Sequence, residues 1–339
     1  MTIGQPFTVI EVPVVDVLGG IGPYTAVVND PPWSAVAGRV RPPVRVVTAG
    51  NMEQAHLDRV VDAEDRTTEV VVGLGGGTAL DTAKYLAWRT GKRLVQIPTI
   101  TSVDAGFTDA VGIRVDGKVR YVGNVVPETV ALDLPLIRSA PARLNQAGIG
   151  DILSCHTGLF DWRLAVDAGD GVPWREDLAA LGETLLVQLE QAVPDICAVS
   201  DDGVRFMADA YRRIGAACAE AGHSRFEEGS EHFWAYNHEH RTGAHHVHGE
   251  LIGLAVVAMS MVQDNRPDWA FGIVAGAGAR CNPADLGIDR DDFAQALLTL
   301  RNYARAEDLD YSIVDAVDVD QDMVDRAWDL IARLPRVEQ

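Results

Sequence analysis

Glu69-Val70-Val71-Val72-Gly73-Leu74-Gly75-Gly76-Gly77-Thr78-Ala79-Leu80-Asp81-Thr82-Ala83-Lys84 is the stretch whose reading decides the fold. A short β-branched run, a glycine triplet and a helix-forming segment make a strand, a tight turn and a helix start. Glycines in the turn admit positive φ and let a bulky anion approach without Cβ clashes. The free N–H groups and positive dipole end of the helix then face that anion. This is the chemistry needed to hold a nucleotide pyrophosphate at Gly75, Gly76, Gly77 and Thr78. A plain structural turn would also use three glycines, but a hydroxyl residue opening an amphipathic helix favours the phosphate.

The neighbouring segments extend the same rhythm. Val44–Thr48 reads as a buried strand, followed by a helical Met52–Val61. After the glycine turn come a helix over Thr78–Thr90, closed by Gly91, and a strand over Arg93–Ile97, stopped by Pro98. This alternation implies a parallel sheet with helices on its faces. Val111–Val115 and Val119–Val122 flank Asp116-Gly117, a two-residue hairpin signal, and Thr129–Leu132 is a further short strand. From about Pro141 the pattern turns to helix upon helix: Asp151–Val166, Arg175–Ala192, Gly203–Ala221, Glu250–Gln263, Asp291–Arg305 and Gln321–Leu334. The expectation is an α/β domain over residues 1–145 and an all-α domain over residues 146–339.

Composition narrows the function classes. The chain has 339 residues, 47% of them hydrophobic, enough for two sizeable cores. Its net charge, 29 − 49 = −20, is spread along the chain. That argues against nucleic acid and anionic membrane surfaces, which call for basic patches, but leaves room for a small anionic substrate. The four cysteines are scattered without a CxxC pair and read as reduced thiols of a cytoplasmic protein. The start of the chain has no basic-then-apolar leader pattern. The longest apolar stretch, Leu251 to Val262, is too short to span a bilayer and reads as a buried helix.

Two further clusters carry chemistry. Six of the nine histidines fall between residues 232 and 248: His232, His238, His240, His245, His246 and His248. Neutral imidazole suits borderline cations such as zinc, so the cluster points to a metal site without saying which of the six bind. Asp151, in Gly148-Ile149-Gly150-Asp151, is either a carboxylate ligand or a helix cap. Pro98-Thr99-Ile100-Thr101-Ser102-Val103-Asp104-Ala105 follows a parallel strand, where ligands of open α/β sheets bind. Thr99, Ser102 and Asp104 there are suited to ribose or a polyol, or form a simple polar loop.

Taken together, the glycine turn with Asp81 and Lys84, the Pro98-Thr99 to Asp104-Ala105 loop, Gly148-Ile149-Gly150-Asp151, Ser230-Glu231-His232 and His248-Gly249-Glu250 resemble the iron-containing alcohol dehydrogenase superfamily. Asp151-Ile152-Leu153-Ser154, Asp161-Trp162 and Gly229-Ser230-Glu231-His232 look most like its glycerol-1-phosphate dehydrogenase branch. The resemblance implies a dinucleotide-binding domain, a helical domain and an active site in the cleft between them. Gly75, Gly76, Gly77 and Thr78 would cradle the NAD(P) pyrophosphate, with Asp81 and Lys84 supporting the turn. Asp104 would lie near the nicotinamide and the substrate hydroxyl. Asp151, His232 and His248 would hold one divalent metal, His232 and His248 being brought together by a helix, a loop and a second helix start. A cation held by one carboxylate and two imidazoles acidifies an alcohol or polarises a ketone for hydride exchange with the nicotinamide. The substrate would be a small polyol, polyol phosphate or its ketone, and the assembly a homo-oligomer.

The departures from the family pattern matter as much. The iron-binding branch has a histidine four residues after the aspartate, where this chain has Cys155. That favours zinc, with iron and nickel as alternatives. Asn51 or Glu53 would meet the adenosine ribose, leaving NAD and NADP both open. Tyr236 stands where the glycerol-1-phosphate dehydrogenases commonly have a second histidine. Phosphate ligands are unassigned, with Arg114, Lys118, Arg120 and Arg163 as candidates by charge. A lyase or cyclase of the dehydroquinate synthase kind, using NAD transiently, is the alternative. Asp151 in place of glutamate and the lack of a dense basic cluster point away from it.

Overall fold

In a computed structural model, residues 7–337 are described. They divide into two compact units, one reaching to Asn145 and including Tyr211–Gly222, the other formed by Gln146–Ala210 and the chain from His223 on.

The first unit contains β1 (Thr8–Glu11), β2 (Tyr24–Val28), β3 (Arg45–Thr48), β4 (Val70–Gly75), β5 (Arg93–Pro98), β6 (Ala110–Val115), β7 (Lys118–Asn124) and β8 (Thr129–Leu132). Six of these form one parallel sheet in the order β1-β8-β5-β4-β2-β3. The valine run of β4 serves both faces. Val70, Val72 and Leu74 pack with Val14, Leu18 and Val36 on one side, and Val71 packs with Val60, Ala83 and Leu86 on the other. A strand buried on both faces needs continuous rather than alternating apolar residues. The helices Gln54–Asp62 and Gly77–Thr90 supply the second face.

β6 and β7 form a separate antiparallel hairpin, turned by Asp116 and Gly117 at positive φ (53° and 77°). Its anchor is Lys84, 1% exposed. The ammonium donates to the Ala110 carbonyl (2.6 Å) and Thr108 Oγ1 (3.2 Å) and pairs with Asp81 Oδ1 at 2.8 Å. Lys84 therefore ties the helix after the glycine turn to the hairpin.

β1 and β2 were not expected. Tyr24–Val28 is buried at every position, and its flanks Gly22-Pro23 and Asp30-Pro31-Pro32 are the punctuation that marks it. The helix Tyr211–Ala221, the second half of the helix starting at Asp201, packs with this unit. Tyr211 donates to the Thr101 carbonyl at 2.9 Å.

The second unit is helical. The helix His248–Val262 is buried almost throughout and packs against Ile149–Leu153, Ser230–Thr242, Pro267–Ala277 and Gln321–Ile331. The helix expected over Asp151–Val166 is interrupted at Ser154, whose Oγ donates to the Asp151 carbonyl at 2.8 Å. The one expected over Asp291–Arg305 is likewise interrupted at Thr299. Pro267–Ala277 is a helix beyond those expected, while Ser230–Thr242 is the helix that the family resemblance placed at His232. The start of Ser230–Thr242 is held by Asp161, which is fully buried and accepts from the Ser230 N–H (2.7 Å) and the Ile313 N–H (2.8 Å). Among the described residues no helix is long and apolar enough to cross a membrane.

Further along the Ser230 helix, His238 is 2% exposed. Its ring stacks on Trp234 at 5.2 Å, and its Nε2 lies 3.3 Å from His246 Nε2. Burial, with His246 next in effect, pushes His238 down to about 4.

Two predictions follow from these anchors. Lys84→Met keeps the length but leaves Asp81 and the Ala110 carbonyl without their cation, and urea denaturation should show a loss of about 2–3 kcal/mol. His238 is neutral in the folded state at a pH where the unfolded chain would protonate it. Its stabilisation is complete above about pH 6.5 and is lost as the pH falls toward 4. Of the wild-type stability lost between pH 7 and 5, about 1–2 kcal/mol should be absent from His238→Gln.

Candidate functional site

The glycine turn lies where the sheet's connections diverge. From β2 the chain moves toward one edge, to β3, and from β4 toward the other, to β5. The C-terminal ends of β2 and β4 thus flank a topological switch point, the place where open α/β sheets bind ligands. Asn29, directly after β2, bridges it. Its Oδ1 accepts from the Gly76 N–H at 3.0 Å, and its Nδ2 donates to Thr78 Oγ1 at 3.3 Å. Asn29 belonged to no expected element, because β2 itself was missed.

The glycines are needed by packing as well as by any ligand. A Cβ on Gly75 would lie 2.4 Å from Asn29 Oδ1, one on Gly76 2.8 Å from Ile100 Cδ1, and one on Gly77 2.9 Å from Val103 Cγ1. The Thr99–Asp104 loop therefore lies directly on the turn. The helix opens with the N–H groups of Gly77 and Thr78, for which helix geometry provides no carbonyl partner. Thr99 and Ser102 are buried, and Asp104 is half-buried in a short 3-10 turn.

Asn51 is exposed, its Oδ1 accepting from the Glu53 N–H at 2.9 Å. Glu53 Oε1 accepts from the Gly117 N–H of the hairpin turn at 3.0 Å. Of the two ribose candidates, Glu53 thus has a structural occupation.

In the second unit, Asp151, His232 and His248 each present one ligating atom, and the three atoms lie within 4.8 Å of one another. Among the described residues this is the one such group of three metal-ligating residue types. The Ile149–Leu153 helix carries Asp151, Ser230–Thr242 carries His232 near its start, and His248 opens the next helix. The loop after Thr242 closes the gap between the histidines, whose rings stand 5.4 Å apart. His248 Nε2 is 3.3 Å from Asp151 Oδ1.

Glu231 orients His232. Its Oε1 lies 2.8 Å from His232 Nδ1 and also accepts from the Gly229 N–H at 2.7 Å. This leaves Nε2 of His232 for a ligand, the usual carboxylate–imidazole arrangement of a metal site. Glu231 Oε2 is buried with no hydrogen-bond partner among the described residues. Burial acts to lower the His232 pKa, but the Glu231 hydrogen bond and the charges of Glu228, Glu231 and Asp151 outweigh it and push it up to about 10. The pocket therefore favours a positive charge at His232, and a borderline divalent cation fits that donor set.

The remaining candidates lie elsewhere. The Cys155 thiol is fully buried, and burial pushes it well above its ordinary value. His156 is turned to the Asn265 carbonyl (2.7 Å) and the Trp269 ring. His240 rests on Tyr303, and His245 is exposed. Arg114, Lys118 and Arg120 all belong to the β6–β7 hairpin. Arg163 pairs with Asp167 and covers the Trp174 ring.

Residues 35–141 match the family model described as iron-containing alcohol dehydrogenase. A glycerol-1-phosphate dehydrogenase [NAD(P)+] of Aeropyrum pernix is 30% identical over 236 residues, 70% of this chain and 67% of that one. One from Thermofilum pendens is 29% identical over 91% of this chain and 89% of its own. Among solved structures, a probable glycerol dehydrogenase from Sinorhizobium meliloti superposes with a TM-score of 0.71 at 23% identity, covering 95% of this chain and 93% of that one. With these matches added to the parallel sheet, the glycine turn and the helical second unit, the chain belongs to the iron-containing alcohol dehydrogenase family.

Proposed function

We propose that the chain interconverts a small polyol, or a polyol phosphate, and the corresponding ketone, with Asp151, His232 and His248 holding its divalent cation. Membership of the family makes it an NAD(P)-linked, metal-dependent dehydrogenase. The polyol range is suggested by its relatives, which are named glycerol-1-phosphate dehydrogenases. The observation that carries the reading is the convergence of one carboxylate and two imidazoles from three helices.

When bound, the cation supplies Lewis acidity to a substrate hydroxyl or carbonyl, and the nicotinamide donates or accepts the hydride. The chain's own residues orient and neutralise. Asp151 brings the negative charge, His232 and His248 bring neutral nitrogen donors, and Glu231 holds His232 in the tautomer that leaves Nε2 free. Three protein ligands leave a coordination position for substrate, and this donor set favours zinc over iron or nickel.

At the glycine turn, the N–H groups of Gly77 and Thr78 receive the pyrophosphate, while Gly75, Gly76 and Asn29 hold the turn's shape. Asp81 and Lys84 support the helix behind it. Thr99, Ser102 and Asp104 serve the nicotinamide end, with Asp104 beside the substrate hydroxyl. Asn51 serves the adenosine end. With Glu53 engaged by Gly117, the local groups give no reason to reject a 2′-phosphate, so NAD and NADP both remain in the proposal. In this reading the first unit binds cofactor, and the second binds metal and substrate, within a cytoplasmic homo-oligomer. The free cysteines, two of them buried, are consistent with a reducing setting.

The purified protein should contain about one equivalent of divalent metal by elemental analysis. His248→Ala should lower metal affinity at least about tenfold, and unchanged metal retention would remove His248 from the ligand set. With metal present, NADH or NADPH should be oxidised by at least one small hydroxyketone, followed by nicotinamide absorbance. Turnover without net cofactor change would instead indicate a lyase or cyclase. Asn29→Ala should raise the cofactor KM several-fold through loss of its two hydrogen bonds at the turn, about 1–2 kcal/mol, with kcat nearly unchanged.

A further inference from the structure

Asp161 has no part in the proposed chemistry, yet its carboxylate is fully buried and held in one orientation. It lies in the helix Cys155–Asp167, which follows directly on the short helix carrying Asp151. Its Oδ2 accepts from the Ser230 N–H at 2.7 Å, and its Oδ1 accepts from the Ile313 N–H at 2.8 Å. Ser230 and Ile313 each open a helix, so both N–H groups are ones that helix geometry leaves without a carbonyl partner. One side chain thus joins the beginnings of two helices to the body of a third.

The join is tight. A Cβ on Gly158 would stand 3.0 Å from the Glu227 carbonyl carbon and 3.0 Å from the Glu228 nitrogen, so the turn before Ser230 lies on the bare backbone of the Cys155 helix. A Cβ on Gly229 would meet Asp161 Oδ2 at 2.7 Å, Gly158 Cα at 3.0 Å and Glu231 Oε2 at 3.2 Å. Gly229 therefore leaves no slack between Asp161 and the carboxylate that aims His232. The Gly229 N–H donates to Glu231 Oε1 at 2.7 Å, and that same oxygen lies 2.8 Å from His232 Nδ1. From Asp161 to the His232 ring the path runs through two adjacent backbone N–H groups and one carboxylate.

We propose that Asp161 is a positioning residue for the cation-binding group, registering His232 against the chain segment that carries Asp151. The inference rests on the proposed ligand set and adds to it a residue that touches none of the three ligands. Burying a carboxylate costs free energy that a neutral group would not. In exchange, an ionised carboxylate accepts at both oxygens and makes shorter, stronger bonds to N–H donors. An amide in its place has one acceptor oxygen, and its NH2 would face either Ser230 or Ile313, donor against donor. Ligands already held in place bind a cation more tightly, because their ordering is not subtracted from the binding free energy.

The test is Asp161→Asn, which keeps the shape and removes one of the two acceptors. Calorimetric titration of the metal-free variant with zinc should show an affinity about tenfold below wild type. The visible spectrum of the cobalt(II)-loaded variant, which reports ligand geometry, should differ from that of wild type. Gly229→Ala presses on Asp161 from the other side and should weaken zinc binding in the same way; it decides the matter if Asp161→Asn does not fold. Asn282→Ala removes a bond to the Leu334 carbonyl (2.6 Å) elsewhere in the same unit, and should lower stability without changing zinc affinity or the cobalt spectrum. An Asp161→Asn that behaves like Asn282→Ala would overturn the assignment. In the metal-free protein, the His232 Nδ1–H facing Glu231 should give a proton resonance sheltered from solvent, and Asp161→Asn should speed its exchange about tenfold. Wild type that binds no divalent cation would count against the proposed ligand set, while the exchange rate of that ring proton still decides the role of Asp161, an unchanged rate overturning it.

Discussion

The grouping of Asp151, His232 and His248 depends on how closely two helices can cross. At Gly150 a Cβ would stand 2.6 Å from the Gly249 carbonyl oxygen and 3.1 Å from the Gly253 nitrogen. Only a residue without a side chain lets the Ile149–Leu153 helix rest on the backbone of His248–Val262. Asp151 and His248 are the immediate neighbours in sequence of Gly150 and Gly249. The contact between the two glycines is thus what carries carboxylate and imidazole to 3.3 Å of each other. The break at Ser154 belongs to the same arrangement, because it frees the short helix from the direction taken by the residues that follow.

Around this contact the chain buries acid groups that bulk water would otherwise solvate. Asp161 answers its burial with two backbone N–H donors, yet burial first, and Glu231 second, still push it up to about 6. Glu231 is answered by the Gly229 N–H and the His232 ring, and one of its oxygens has no hydrogen bond among the described residues. Buried charges are tolerated when paired. The pairing here is completed by positive charge arriving at His232. The grouping of Asp151, His232 and His248 and the packing of the Ser230 helix therefore draw on the same electrostatics, since Asp161 accepts from the first N–H of that helix while Glu231 aims its first histidine.

The legible parts of the chain were those in which local chemistry matches the final structure. The β4 run, the glycine turn, Gly91 at the helix end and the Asp116-Gly117 hairpin all read correctly because short-range sterics decide them. β2 was missed because five residues containing alanine and threonine are a weak strand signal, and its burial comes from strands far along the chain. Asn29 was missed along with it. Among the six clustered histidines, composition could not separate His232 and His248 from His238 and His246. Both pairs approach closely, one with Asp151 between helices and the other against Trp234. The distinction needs a partner more than eighty residues away in sequence, which family resemblance supplied and local spacing could not.

The glycine triplet carries a similar double meaning. Its residues are required by Asn29, Ile100 and Val103 whether or not a nucleotide binds, so the need for glycine alone is not evidence of a ligand. What makes the turn suited to phosphate is its place in the sheet. β2 and β4 send their connections in opposite directions, which leaves a crevice between their ends. The start of the helix at Gly77 and Thr78 lies beside that crevice, with Thr78 Oγ1 accepting from Asn29 Nδ2. Asn29 spans it at one hydrogen bond's length from Gly76, setting how far apart the two loops stand. Topology thus opens the crevice, packing shapes its rim, and the helix dipole makes that rim favourable to an anion.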